Sequence, residues 1–167
     1  IIDPIDGTTN FLLGIPHFAI SIALKIDNQL KSALIHDPIK NEIYFAEQNN
    51  GSYFNNQRIR VSKKNNINDC LFVTGGKIKK EPELQYRRTG CAALDMAYVA
   101  SGRFDGFWQR ELNYWDIAAG VIIIKEAGGF INFFEEDKQN PLKKNIIASN
   151  SNIHEKLKGL IKKKDIE

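Results

Sequence analysis

The 167-residue sequence predicts an α+β fold, a layered sandwich of sheets and helices forming one domain over residues 1–167. Three observations carry this. Residues 18–61 read as strands joined by tight turns. Two later segments, 116–127 and 153–163, carry helix patterns. Strands and helices are mixed without strict strand–helix–strand alternation, which argues against a doubly wound parallel sheet.

In chain order, residues 18–26 (FAISIALKI) alternate large apolar residues with small or polar ones, as a half-buried strand does. Residues 31–35 and 42–46 read as two more strands, with Asp37-Pro38 as the turn between them. Asn49-Asn50-Gly51 and Asn55-Asn56-Gln57 are tight-turn signals, so an antiparallel meander is expected out to Val61. Residues 71–74 form a short strand ending at Gly75-Gly76. The polar stretch 77–85, broken by Pro82, reads as a loop. Residues 91–100 (CAALDMAYVA) are helical by composition and stop at Gly102. A strand is expected over 104–108. The strongest helix runs over 116–127, with Asp116 at its start and Gly128-Gly129 past its end. Strands over 130–134 and 146–149 follow. The terminal helix over 153–163 places Ile153, Leu157, Leu160 and Ile161 on one side.

Composition narrows the function classes. Apolar content of 43% and charged content of 26% are ordinary for a globular protein, and a net charge of +3 is too small to argue for direct nucleic-acid binding. Lys77, Lys79 and Lys80, Lys143 and Lys144, and the tail Lys162 to Lys164 read as solvated faces. Cys70 and Cys91 belong to no CxxC pair and imply no disulfide framework, so reduced thiols and a cytoplasmic location are expected. The longest apolar run, 121–124, is far too short for a membrane span, and no signal peptide is expected from the opening residues. Ile1-Ile2-Asp3 reads as the end of a buried strand, which leads to the expectation that an upstream piece is missing.

The chemistry concentrates in the opening string DPIDGTTNF, residues 3–11. Pro4 stiffens the loop and biases Asp3 to an extended backbone, while Gly7 can take positive φ for a sharp turn. Asp3 and Asp6, if they converge, repel unless a cation lies between them. An oxygen-only ligand set, with the Ile5 carbonyl as a further donor, suits Mg²⁺. A short helix starting at Gly7-Thr8 would present free N–H groups at the same spot, as a phosphate seat. The plainer alternative is an Asp-Gly turn with a threonine cap. Asp116 likewise reads either as a helix cap or as a third ligand. Its neighbours Trp115 and the small Ala118-Ala119-Gly120, which permit close helix packing, favour the ligand. His17, His36 and His154 have no partner at ligand spacing and read as structural or exposed. Cys91 reads as a small residue filling a tight place.

DPIDGTTNF closely resembles the first signature of the inositol monophosphatase family, Mg²⁺-dependent phosphatases related to fructose bisphosphatase. Residues 115–120 (WDIAAG) resemble its second signature, and residues 87–108 (RRTGCAALDMAYVASGRFDGFW) are similar to its bacterial, extragenic suppressor-like branch. The resemblance covers essentially the whole chain. It implies the αβαβα sandwich of that family. It implies Asp3, the Ile5 carbonyl, Asp6 and Asp116 as metal ligands, with Asp3 and Thr8 as the catalytic pair. It places Gly7 and Thr8 against the phosphate, Thr8 also holding the attacking water. Gly90, Cys91, Ala92, Gln109 and Asp116 fall where the family contacts the ring hydroxyls of a small phosphorylated polyol.

The sequence departs from that pattern in three places. The family carries an N-terminal segment with two helices and an acidic pair before the opening motif, so this chain resembles its C-terminal two thirds, without the outer helical layer. One glutamate of that pair is a metal ligand, and weak or absent turnover is expected without it. An apolar sheet face is then expected to lie uncovered. A longer helical segment between Gly76 and Tyr86 is replaced by KIKKEPELQ, and Gln109 stands where the family has a glutamate. The first functional expectation is a Mg²⁺-dependent phosphatase of inositol or sugar monophosphates, dimeric as the family commonly is. The second is a non-catalytic protein that contacts transcription factors, as bacterial relatives do. The third is a gene remnant with no function.

Overall fold

The computed structural model describes residues 1–75, 84–134 and 143–163. The chain folds into two sheets with helices between and outside them. The first sheet is an antiparallel meander of β1 (Ile2–Asp6), β2 (Ala19–Ile26), β3 (Gln29–Asp37), β4 (Glu42–Glu47), β5 (Gly51–Phe54) and β6 (Gln57–Arg58), in that spatial order. The asparagine turns work as their sequence implies: Asn55 and Asn56 both take positive φ, 43° and 66°, the backbone of a type I′ hairpin. Asp27 and Asn28 (φ 49° and 61°) make the equivalent turn between β2 and β3.

The second sheet is mixed. Its order is β10 (Phe130–Phe133), β11 (Lys143–Ser149), β9 (Gly106–Asn113), β7 (Leu71–Thr74), β8 (Gln85–Arg87), with β7 parallel to both β8 and β9. Strand β8 begins at Gln85, inside the stretch expected to be a loop; residues 76–83 of that stretch lie outside the described residues. The strand expected over 104–108 is displaced. It starts at Gly106 because the neighbouring backbone needs a residue without a side chain: a Cβ there would meet the Ala148 carbonyl and the Phe72 ring at 3.0 Å. It runs on to Asn113 because β11 supplies partners that far.

Helices α2 (Ala92–Ala100) and α3 (Tyr114–Glu126) fill the space between the sheets. Residues 117–124 are all buried, as a helix enclosed on every side requires. Gly120 lets the two helices touch: a Cβ at that position would sit 2.6 Å from the Met96 sulfur. Helix α4 (His154–Lys163) covers the far face of the second sheet, with Ile153, Leu157 and Ile161 packed on Phe72, Trp108 and Ile147. The layers therefore run sheet, helices, sheet, helix, which is the α+β sandwich expected; among the described residues no helix lies on the outer face of the first sheet.

That first sheet consequently bears an apolar outer face. The register aligns Ile2, Ile22, Leu34, Phe45 and Tyr53 in a single row across five strands. Ile2 is 64% exposed, and Ile22, Leu24, Ile43 and Phe45 are also exposed. The expectation of a buried strand at Ile1-Ile2 is not met at Ile2, which points to this face, where no described residue covers it. Such a patch binds apolar probes. The dye ANS is expected to fluoresce strongly with this chain, and Ile22→Lys combined with Phe45→Lys is expected to remove most of that signal; weak fluorescence from the unaltered chain would mean the face is covered in solution.

Candidate functional site

The site is built where β1 ends and three helices begin. Asp3 and Asp6 are three apart, which in a regular strand would turn them to opposite faces. The register shows how they converge. Asp3 pairs with Ser21 but Asp6 pairs with Ala19, so β1 holds one more residue than β2 across this span. This is a β-bulge, and it turns both carboxylates inward. The Ile5 amide donates to Asp3 Oδ1 at 3.1 Å, fixing the bulge from within. Gly7 then turns the chain at φ 85°, where a Cβ would meet the His17 carbonyl at 3.0 Å and the Cys91 side chain at 3.2 Å. Helix α1 (Thr8–Leu12) starts at once.

Asp116 comes from the other side of the molecule. It does not begin α3, contrary to the sequence reading; Asn113 caps the helix and Asp116 is its third residue. The Asn113 backbone N–H donates to Asp116 Oδ2 at 2.8 Å. This reciprocal cap holds the carboxylate at the head of the helix while leaving Oδ1 uncommitted among the bonds described. One oxygen from each of Asp3, Asp6 and Asp116 lies within 4.8 Å of the others.

Three carboxylates this close are electrostatically costly without a cation. Asp6 is pushed up to about 6, chiefly by burial, with the neighbouring Asp3 and Asp116 adding to the rise. It is restrained by donors, since the Ala93 amide bonds Oδ2 at 2.5 Å and the Cys91 thiol donates to the same oxygen at 3.2 Å. Asp116 is also raised, again mainly by burial. Burial and the adjacent Asp6 push the Cys91 thiol up, so it acts as a neutral donor and not as a thiolate. All-oxygen donors at this spacing fit a hard divalent cation.

A cleft of about 410 Å³ opens over the cluster. Every residue singled out from the sequence lines it: Asp3, Ile5, Asp6, Gly7 and Thr8, then Gly90, Cys91 and Ala92, then Gln109 and Asp116. Thr8 Oγ1 donates to the Ile5 carbonyl at 3.0 Å, which commits its proton and leaves its lone pairs to accept one. Gln109 lies close against Gly75, where a Cβ would clash with its amide. His36 stays half-buried away from the cleft, and His154 is buried between Ser149 Oγ and Asn132 Oδ1, 2.8 Å from each.

Three residues of this neighbourhood escaped the sequence reading. Asn10 donates to the His17 carbonyl at 2.7 Å and to the Thr89 carbonyl at 2.9 Å, stapling α1 to the turn before α2. Thr89 donates in turn to Asp95 Oδ1. The available signal was Asp95 itself, an acid within the apolar run CAALDMAYVA.

Comparison with known proteins gives the class. Residues 1–165 match the model of the inositol monophosphatase family, and the chain belongs to it. It is 44% identical over 166 residues to the fructose-1,6-bisphosphatase/inositol-1-monophosphatase of Thermotoga maritima, covering 94% of this chain and 65% of that one. It is 39% identical over 168 residues to the Nus factor SuhB of Haemophilus influenzae, covering 92% and 63%. Among solved structures, the extragenic suppressor protein suhB of Bartonella henselae superposes with a TM-score of 0.88 at 44% identity, covering 98% of this chain and 68% of that one. The chain thus spans about two thirds of the length of the relatives it matches. Among the described residues, no helix is long and apolar enough to cross a membrane.

The raised Asp6 makes cation binding pH-dependent. Without a cation, its contribution to folding stability is fully present below the unfolded value of 3.8 and is lost as pH rises through about 6. A cation needs the ionised form, so its affinity rises over the same window. Calorimetric titration with Mg²⁺ is expected to give about tenfold weaker binding at pH 5 than at pH 7, with proton release at pH 5; pH-independent binding would place the ion elsewhere.

Proposed function

We propose that this chain forms one domain, the C-terminal two thirds of a Mg²⁺-dependent phosphatase that hydrolyses a phosphate monoester of inositol or a related sugar. The observation that carries the reading is the approach of Asp3, Asp6 and Asp116 to within 4.8 Å of one another beside the Gly7-Thr8 turn. Asp3, the Ile5 carbonyl, Asp6 and Asp116 would hold Mg²⁺. When bound, the ion neutralises charge on the phosphate oxygens and on the departing alkoxide.

The protein's own groups do the rest. The Gly7-Thr8 turn receives the phosphate at the start of α1: the Gly7 N–H is held by Asp6 Oδ1 at 2.9 Å, so Thr8 offers the first backbone N–H that has no intrahelical acceptor. The Thr8 hydroxyl, its proton given to the Ile5 carbonyl, accepts a hydrogen bond from the attacking water and aims it at phosphorus. Asp3, lining the same cleft, takes the proton that the water loses. The water enters opposite the ester oxygen, the phosphorus–ester bond breaks, and the alcohol leaves with a proton from solvent. Gly90, Cys91 and Ala92 present the turn on which the hydroxyls of the polyol rest, with Asp116 at its edge. Gln109 offers that polyol a neutral donor and acceptor where a glutamate would offer charge.

The reading places the protein in the cytosol, in keeping with two free, buried cysteines, and as a homodimer, the common state of the resembled family. A second reading has one specific support, the relatives named Nus factor SuhB. It is a non-catalytic contact with a transcription factor. The basic stretch Lys77 to Lys80 lies outside the described residues.

Phosphate release from inositol 1-phosphate with Mg²⁺ tests the first reading. Asp6→Asn and Asp116→Asn are each expected to weaken Mg²⁺ binding by about 100-fold, at or beyond the top of the range for losing an outer partner of a metal ligand. Both should abolish whatever turnover the chain has. Turnover that survives Asp6→Asn would refute the assignment. Capture of a transcription factor from cytosol, unaffected by Asp116→Asn, would favour the second reading.

A further inference from the structure

The Asp95 side chain is the least explained polar group near the cleft. It sits in the first turns of α2, 1% exposed, among Ala92, Ala93, Leu94, Met96 and Ala97, all buried. Oδ1 accepts the Thr89 hydroxyl at 2.5 Å, while Oδ2, also buried, has no hydrogen-bond partner among the described residues. Burying a carboxyl with half its capacity unused is unfavourable for folding. A leucine here would continue the apolar helix. Asp95 nonetheless lines the cleft, in company with Gly90, Cys91 and Ala92.

What Asp95 holds is the turn between β8 and α2. Thr89 is gripped at both ends: its hydroxyl by Asp95, and its carbonyl by Asn10 Nδ2 at 2.9 Å. The Thr89 hydroxyl also lies 3.5 Å from the Cys91 amide, at the head of α2. Between them Gly90 takes φ 85°, packed so tightly on Asn10 that a Cβ would meet its amide at 3.0 Å. Glycine takes this conformation at little cost, so the shape of the turn is set by the hydrogen bonds on either side of it. The Cys91 thiol then reaches Asp6. The phosphate and metal groups come from β1, α1 and α3, whereas this turn faces the remainder of the cleft.

We propose that Asp95 is a positioning residue. By clamping the Thr89 hydroxyl it fixes the Thr89-Gly90-Cys91 turn in the shape that receives the polyol, and so sets affinity for the alcohol half of the substrate and not for its phosphate. This rests on the phosphatase reading above.

The test is a mutant cycle on the full chain, read by calorimetry with Mg²⁺ present, using inositol 1-phosphate and inorganic phosphate as separate probes. Thr89→Val and Asp95→Ala are each expected to weaken inositol 1-phosphate binding about tenfold, and the double variant no further, because both remove one interaction. Inorganic phosphate and Mg²⁺ should bind within about twofold of the unaltered chain. Thr89→Ser, which restores the hydroxyl, and Asp95→Asn, whose amide oxygen still accepts it, should recover most of the affinity. If Asp95→Ala fails to fold, Thr89→Val against Thr89→Ser decides alone. Equal affinity in Thr89→Val and Thr89→Ser overturns the proposal, as does an equal loss for both probes, which would mark a merely structural role. Failure of the unaltered chain to bind Mg²⁺ and inorganic phosphate overturns the phosphatase reading and this proposal with it.

Discussion

The constraint on which the structure turns is the mutual repulsion of Asp3, Asp6 and Asp116. A fold does not bring three carboxylates together for stability: the burial that raises Asp6 and Asp116 opposes folding with both ionised. The geometry is imposed by backbone elements that have other reasons to be where they are. The bulge in β1 turns two of the acids inward, and the cap of α3 holds the third. The first turn of α2 brings the Ala93 amide and the Cys91 thiol to Asp6. The cluster is therefore a preformed demand for positive charge, made by a scaffold whose own stability comes from the apolar layer beneath it.

That apolar layer also sets the tolerance of the site. Helices α2 and α3 are enclosed between two sheets, and their close contact at Gly120 and Met96 fixes their relative position. Since Cys91 and Ala93 ride on one helix start and Asp116 on the other, a shift in their packing is a shift in the site. A protein interior packed at crystal-like density transmits such shifts without absorbing them. The small residues of WDIAAG thus serve the chemistry at one remove, by letting the helix that carries Asp116 approach the helix that supports Asp6.

Much of this was legible because local chemistry and tertiary role coincide. Asparagine pairs at the hairpin turns, alternation in β2 and the apolar stripe of α4 each state a local preference that the fold obeys. DPIDGTTNF was legible for the same reason: its glycine takes positive φ, and its two acids converge across the bulge. What could not be read depends on partners distant in sequence. Gln85–Arg87 is a strand only because β7 lies beside it, and nothing in those residues announces that. The strand expected to end at Trp108 continues to Asn113 because β11 pairs with it. Asp116 was placed at the very start of its helix, where aspartate is favoured, yet Asn113 caps that helix and the acid is its third residue. Asp95 was passed over since its meaning lies in Thr89, on a turn the sequence describes poorly.

The bare face of the first sheet and the site are not independent, because both belong to β1. That strand is the edge of its sheet, paired on one side with β2 alone, and exposed Pro4 lies on it as suits an edge. Its alternation sends Ile2 outward to the uncovered row and Asp3 inward to the cluster. An edge strand held from one side is the least constrained element of a sheet, yet here it carries two of the three acids. Whatever packs on Ile2, Ile22 and Phe45 would therefore restrain the backbone that aims Asp3 and Asp6, without touching either carboxylate. The outer face is in this sense the far side of the acidic cluster, and its covering and the precision of the cluster's geometry are one physical problem.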